Sequence, residues 1–299
     1  MDRVVRRLGE RKLAKSTVYD TYGFLPTSVW DLPYQPILRV FSIERSRDIK
    51  KGKSKGYDPK AGKYKDYSEI RYSIFNPELA KRVIRLWSEE GDTILDPFMG
   101  RETRPLVALG LKRNYIGYEV VPRTVKLVVR ALEDTLYKHS VIDYDEKRFI
   151  FTQNGVKQDI NLASGVELKN HIDKPNSVDL IFTCPPYYNI EKYDYAPDQL
   201  SLVSSYEAFL KRLSLCVKNT YKVLKHRKFS IWVVADFRES GMFRAFHKDL
   251  IDLHLKHKFT LHDIIISVLS SPTISRGIRQ AVENYYTAKR HEYILVFRK

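Results

Sequence analysis

The sequence predicts an α/β protein built on a mostly parallel sheet. Three observations carry that reading. Apolar runs of strand length, at Thr93–Asp96, Asn114–Glu119, Ser177–Phe182 and Phe229–Asp236, alternate with stretches at helical spacing, the pattern of repeated strand–helix units. A glycine turn, Pro97-Phe-Met-Gly100, follows the first run, and an acid, Glu119, ends the second. The third run leads into Thr183-Cys-Pro-Pro-Tyr-Tyr188. In open α/β sheets ligands bind at the carboxyl ends of strands, so the turn, the acid and the proline pair all stand where a site belongs.

Taken in order, residues 1–43 open with Arg3, Arg6, Arg7, Arg11, Lys12 and Lys15 and continue through Tyr19–Phe24 and Trp30–Tyr34, which mix aromatics with turn residues. Such an arm can pack on the main domain or stack on bases; packing is the expected use. Residues 44–68 have no apolar periodicity and read as a charged, glycine-rich loop. Within it Lys51, Lys53 and Lys55 are candidate phosphate contacts. Residues 1–70 are thus read as a basic arm and loop, and 71–299 as the catalytic domain. Asn76 and Pro77 suit a helix cap and first turn. Leu79, Val83, Leu86 and Trp87 then recur at helical spacing up to Gly91. After Thr93–Asp96, a helix starts at about Pro105, and another runs from Pro122 to Tyr137. Arg148–Thr152 reads as the third strand, and residues 153–176 fit no element. A long helix spans about Ser204–Lys225, with Cys216 on its buried stripe, and Phe243–Lys256 forms the next. Thr260–Leu269 and Glu292–Phe297 pair as a hairpin around a basic loop in which Arg276 and Arg279 are candidate nucleic-acid contacts.

Composition bounds the partners. The 299 residues carry 52 Lys and Arg against 36 Asp and Glu, a net charge of +16, which favours a polyanion and most simply nucleic acid. Two cysteines, Cys184 and Cys216, give neither a disulfide framework nor zinc spacing; no metal is expected, and the setting is read as reducing, intracellular and cytoplasmic. The first 15 residues lack the apolar core of a signal peptide, and no apolar run approaches the ~18 residues of a membrane span.

The proline pair carries the chemistry. Pro185 and Pro186 fix φ and remove two donors, leaving rigid carbonyls to accept hydrogen bonds. Tyr187 follows with a flat ring. A planar, amine-bearing ligand suits that pair. The plain alternative is a turn after a core strand with a surface tyrosine. The strand–turn–helix–strand unit reads as a nucleoside site: Gly100 lets the backbone approach, and Glu119 accepts from the ribose hydroxyls.

Together these segments resemble the S-adenosylmethionine-dependent DNA amino-methyltransferases, over about residues 70–299. Leu95-Asp-Pro-Phe-Met-Gly100 resembles the cofactor loop, Asn114–Glu119 the ribose strand, and Ile181–Tyr188 the catalytic motif. Ser73–Pro77, Asp236-Phe-Arg238 and His291–Lys299 are also similar to members of the family. The resemblance implies a Rossmann-like methyltransferase with a seven-stranded, mostly parallel sheet, an antiparallel last strand and helices on both faces. It implies S-adenosyl-L-methionine as cofactor and DNA as partner, with RNA left open. Phe75, Asp96, Pro97, Phe98, Gly100, Glu119 and Thr183 would hold the cofactor. Cys184, Pro185, Pro186 and Tyr187 would grip the base.

Three departures bear on activity. Cys184 stands where the family has Ser, Asp or Asn; its size is nearest to serine, which leans the target towards cytosine N4 over adenine N6. Arg101-Glu102 replaces small residues in the cofactor loop, and Arg101 could contact the cofactor or a phosphate. Gly165-Val166 replaces a glycine–acid pair that contacts the adenine ring, with Glu167 or Asp159 as substitutes. Two other readings stay open: Cys184 as a nucleophile for C5 methylation, and a degenerate fold that only binds nucleic acid.

Overall fold

In the computed structural model, residues 15–32, 54–58, 63–67, 75–135, 141–145, 147–190, 196–269, 278 and 281–299 are described. Helix α1 (Lys15–Tyr22) and strand β1 (Val29–Asp31) come first, then a separate antiparallel pair, β2 (Ser54–Asp58) and β3 (Lys63–Tyr67). That pair corrects the loop expected over 44–68: Lys55 stands opposite Asp66 and Tyr57 opposite Tyr64 in the backbone register.

The main sheet follows. Helix α2 (Pro77–Trp87) begins where Asn76 accepts from the N–H groups of Glu78 and Leu79, as its cap signature requires. Then come β4 (Thr93–Asp96), α3 (Thr103–Gly110), β5 (Asn114–Glu119), α4 (Pro122–Thr135), β6 (Val141–Asp145), β7 (Arg148–Gln153) and β8 (Val156–Leu162). The second half holds β9 (Val178–Thr183), α5 (Tyr206–Val223), β10 (Leu224–Val234), the ribbon β11 (Phe237–Glu239) and β12 (Met242–Arg244), α6 (Phe246–Lys256), β13 (Thr260–Val268) and β14 (His291–Arg298).

The sheet has ten described strands in the order β1-β13-β14-β10-β9-β4-β5-β8-β7-β6. Its centre, β13 to β8, is the expected seven, parallel except for β14, which runs antiparallel to both β10 and β13. Three strands extend the edges. One is the expected strand at Arg148–Thr152, which runs antiparallel to its neighbour β8. The third parallel strand is β8, in the stretch that fitted no element. Two cores cover the two faces, one with α2, α3 and α4, the other with α5 and α6. The aromatic arm belongs to the first. Phe24 and Trp30 are buried edge to face at 5.3 Å, and β1 pairs with β13, so these two rings pack rather than stack on bases.

β4 and β9 are adjacent, and from this pair the chain winds outwards in opposite directions. The crevice at such a reversal is where α/β sheets bind ligands. Both signature motifs sit at the carboxyl ends of these two strands.

Candidate functional site

The loop after β4 is built from beneath. Asp96 is fully buried. Its Oδ1 accepts from Thr183 Oγ1 at 2.6 Å and from the Phe98 N–H at 3.1 Å; its Oδ2 accepts from Arg104 Nε at 2.5 Å and Tyr115 Oη at 2.6 Å. Arg104 Nη2 donates onwards to the carbonyls of Phe98 and Met99 at 2.6 and 2.8 Å. The guanidinium lies 4.6 Å from the centre of the Phe75 ring. Burial alone would lower the Arg104 pKa, but Asp96, with Tyr115 and Cys184, more than offsets that and holds it raised. A buried charge persists only when so paired. Asp96 and Thr183 are both fully buried, and neither belongs to the lining of the cleft at these strand ends. They spend their hydrogen bonds on the loop backbone and on each other, and so shape it.

Above them lies a cleft with an enclosed volume of about 110 Å³ that opens to solvent. Its walls come from four strand ends: Pro97, Phe98 and Gly100 after β4, Glu119 on β5, Ser164 and Gly165 after β8, Cys184 and Pro186 after β9. Gly100 has φ +57°, a backbone that only glycine adopts without cost. A Cβ on Gly165 would stand 1.9 Å from the Pro97 carbonyl oxygen, so the two loops close together only because that side chain is missing. Backbone bonds tie the rest, Met99 N–H to Tyr118 O and Ala163 N–H to Glu119 O. Burial pushes the Glu119 carboxyl up to about 7, against the opposing pull of the Val121, Val120 and Gly100 N–H groups. The Val121 N–H donates to its Oε1 at 2.8 Å.

Tyr187 and Pro185 are not part of those walls; Pro185 is buried and Tyr187 half-buried. The Tyr187 ring meets Phe237 at 5.7 Å and Phe246 at 6.1 Å, both edge to face. Lys289 Nζ lies 5.5 Å from its centre and donates to the Asp236 carbonyl at 3.4 Å. The basic loop before β14 therefore does reach the motif, through Lys289. Asp236 also accepts from His247 Nδ1 at 2.7 Å, and His247 stacks on Tyr293 at 4.2 Å. Of the nucleic-acid candidates, Lys51, Lys53, Arg276 and Arg279 fall outside the described residues, and Lys55 lies on β2.

Two substitutes change meaning. Arg101 lines the cleft but folds back on Glu102 through two contacts, at 3.2 and 3.1 Å. Asp159, offered for the adenine ring, is instead gripped by Arg148 at 2.9 and 2.6 Å, with His171 at 3.4 Å. Glu167 is exposed. The residue that sequence reasoning missed is Arg104. Its only signal was a basic residue at the start of an otherwise apolar helix.

A seven-strand centre with an inserted antiparallel strand, an acid ending its second strand and a proline pair ending its fourth define a Rossmann-like methyltransferase. The chain belongs to the DNA methylase family, of the N6/N4 type, whose family model matches residues 12–130 and 178–299. It is 50% identical over 52 residues to the type II methyltransferase M.MjaI of Methanocaldococcus jannaschii, 17% of either chain. It is 36% identical over 77 residues to the type II methyltransferase M.BglI of Bacillus subtilis, 26% of this chain and 21% of that one. It is 34% identical over 77 residues to the DNA adenine methyltransferase YhdJ of Escherichia coli, 23% and 26%. These matches span about a sixth to a quarter of the relatives' lengths. Among solved structures, TTHA0409 of Thermus thermophilus, complexed with S-adenosyl-L-methionine, is 26% identical with a TM-score of 0.31, covering 42% of this chain and 49% of that one.

Proposed function

We propose that this protein transfers a methyl group from S-adenosylmethionine to an exocyclic amine of a DNA base. The observation that carries the reading is a shared cleft: Glu119 and Gly100, fit for a nucleoside, line the same walls as Cys184 and Pro186 of the proline motif. Family membership supports it, and the net charge of +16 suits a polyanionic substrate. The cofactor fits the residues present. Gly165 leaves a close-packed wall with no side chain, Gly100 opens on free space, and Glu119 offers a carboxylate for two hydroxyls. When bound, S-adenosylmethionine supplies a methyl carbon already carried by a good leaving group, a sulfonium.

The protein's own task is the amine. A base amine is a poor nucleophile because its lone pair is delocalised into the ring. The Pro185 carbonyl, deprived of flexibility by two fixed φ angles, accepts one amine hydrogen; the Cys184 sulfur, a weaker acceptor, takes the other. Both bonds draw the nitrogen towards tetrahedral geometry and localise the pair. Tyr187 stacks on the base, which must leave its duplex to arrive. What remains is positioning.

Cytosine N4 is the favoured target, because Cys184 has the size of the serine found in that branch. Adenine N6 is the second reading, favoured by similarity to a protein named as a DNA adenine methyltransferase. The test is transfer from labelled S-adenosylmethionine to unmodified DNA, then digestion and mass identification of the nucleoside. N4-methyldeoxycytidine is expected, and N6-methyldeoxyadenosine would shift the target while keeping the class. C5-methylcytosine would make Cys184 a nucleophile, and no transfer to DNA would reject the proposal. Tyr187→Ala should abolish transfer while cofactor affinity stays within about twofold; undiminished transfer would remove the stacking role.

A further inference from the structure

Beside Tyr187 the chain holds apolar side chains out in water. Strands β11 and β12 are joined by Ser240 and Gly241 alone, at φ 50° and 82°. Two left-handed residues make the tight turn whose twist matches a hairpin, so the ribbon is short and stiff. Its root is fixed. Phe237 is buried and meets the Tyr187 ring, while Arg244 pairs with Glu239 at 3.1 Å and lies 4.6 Å from the centre of the Tyr206 ring.

Its tip is not covered. Met242 is 53% exposed and Phe243 56%. The Arg238 guanidinium bridges two rings, 5.3 Å from the centre of Phe243 and 4.5 Å from that of Tyr286. Tyr285, just before Tyr286, is fully exposed at φ 54°, a left-handed backbone that is costly for a bulky residue. Apolar side chains, an arginine and a strained tyrosine thus share one rim, a ring contact away from the residue that would hold the base.

We propose that this ribbon is a wedge for duplex DNA. Phe243, with Met242, enters the gap that the target base leaves, and Arg238 follows to the flanking phosphates. The inference rests on the base-amine reading and assigns it a further part. Extruding a base unstacks its neighbours, and an apolar side chain inserted between base steps offsets that loss. A bare apolar tip would equally suit a protein, but an arginine lying on the tip ring in a chain of charge +16 is complementary to a polyanion.

The test compares native with heat-denatured DNA from one unmethylated phage stock, using the full chain. In the double variant Met242→Ala/Phe243→Ala, transfer to native DNA falls roughly tenfold or more, the loss expected for a stacking contact. Transfer to denatured DNA, whose bases need no extrusion, stays within twofold, and so does cofactor affinity. Equal losses on both forms, or no loss on either, would overturn the wedge. A second reading uses Phe243→Trp, with the signal of the unaltered protein subtracted for the buried Trp30 and Trp232 and the half-buried Trp87. Native DNA with S-adenosylhomocysteine quenches the added indole and shields it from acrylamide; an indole that stays open to acrylamide with DNA bound overturns the wedge on its own. Absence of transfer by the unaltered protein would instead sink the parent reading.

Discussion

Asp96 and Glu119 are both acids at the carboxyl ends of neighbouring strands, yet only one faces the cleft. Asp96 has four donors around it, two of them side chains 8 and 19 residues away, Arg104 and Tyr115. Nothing in the spacing of the motif announces those donors, so the sequence could place the acid but not its orientation. Glu119 has backbone donors and an open side, and burial raises it from 4.5 to about 7. Because the folded value lies above the unfolded one, the folded state holds that proton more tightly. The contribution to stability is full below about 4.5 and is lost as pH rises through about 7. Cofactor binding follows the opposite course, since hydroxyl donors favour the carboxylate. Affinity for S-adenosylmethionine should therefore rise between pH 5.5 and 8, by up to about tenfold per unit on the acid side. Calorimetry across that range is the check, with Glu119→Gln as the control for the cofactor's own titration. A dissociation constant that moves in parallel in both proteins would show that Glu119 does not bind the ribose.

The elements most legible in the sequence were those whose strands carry an unbroken apolar run or end on a recognisable turn. β9, buried at all six positions, and β4 were both readable with their turns. β8 was not, because Gln158, Asp159 and Asn161 are polar and still buried. Each finds a partner elsewhere for part of its side chain: Gln158 Nε2 donates to the Arg113 carbonyl, Asn161 Nδ2 donates to the Gly117 carbonyl, and Asp159 accepts from Arg148, while the Gln158 and Asn161 side-chain oxygens have no partner among the described residues. Hydrophobic periodicity cannot see a strand whose burial is underwritten by hydrogen bonds. β1 escaped for another reason, as three residues are too few to show a period. The loop between β4 and α3 has the same dependence on polar partners, and it is testable. Arg104→Met keeps the volume but strands the Asp96 charge in the core, where breaking a buried pair costs about 3–5 kcal/mol. Arg104→Met/Asp96→Leu removes both charges and should recover much of that loss in urea unfolding. If the single variant were as stable as the parent, the loop would not be held as described.

At the scale of the molecule the question is how much of the +16 can meet a nucleic acid. Some of the excess is internal. Arg113 donates to Ser88 and to the Leu111 carbonyl, and Lys299 Nζ to Asn176, Tyr221 and Leu224; neither makes these bonds to an acid. Others face out beside the site, Arg238 and Lys289 among them. Each phosphate neutralised releases counterions, so the logarithm of affinity falls with that of salt at a slope of about −0.9 per contact on duplex DNA. Two such contacts already give a loss of about tenfold between 50 and 200 mM salt, and more contacts steepen it. DNA affinity should therefore drop at least tenfold over that interval, measured by fluorescence anisotropy. Affinity for S-adenosylmethionine should move less than twofold, as the proposed seat between the four strand ends requires. Lys289→Ala and Arg238→Ala should each lower the slope by about one. A DNA affinity flat in salt would mean that the outward charges do not touch the phosphates and that the basic excess serves some other purpose.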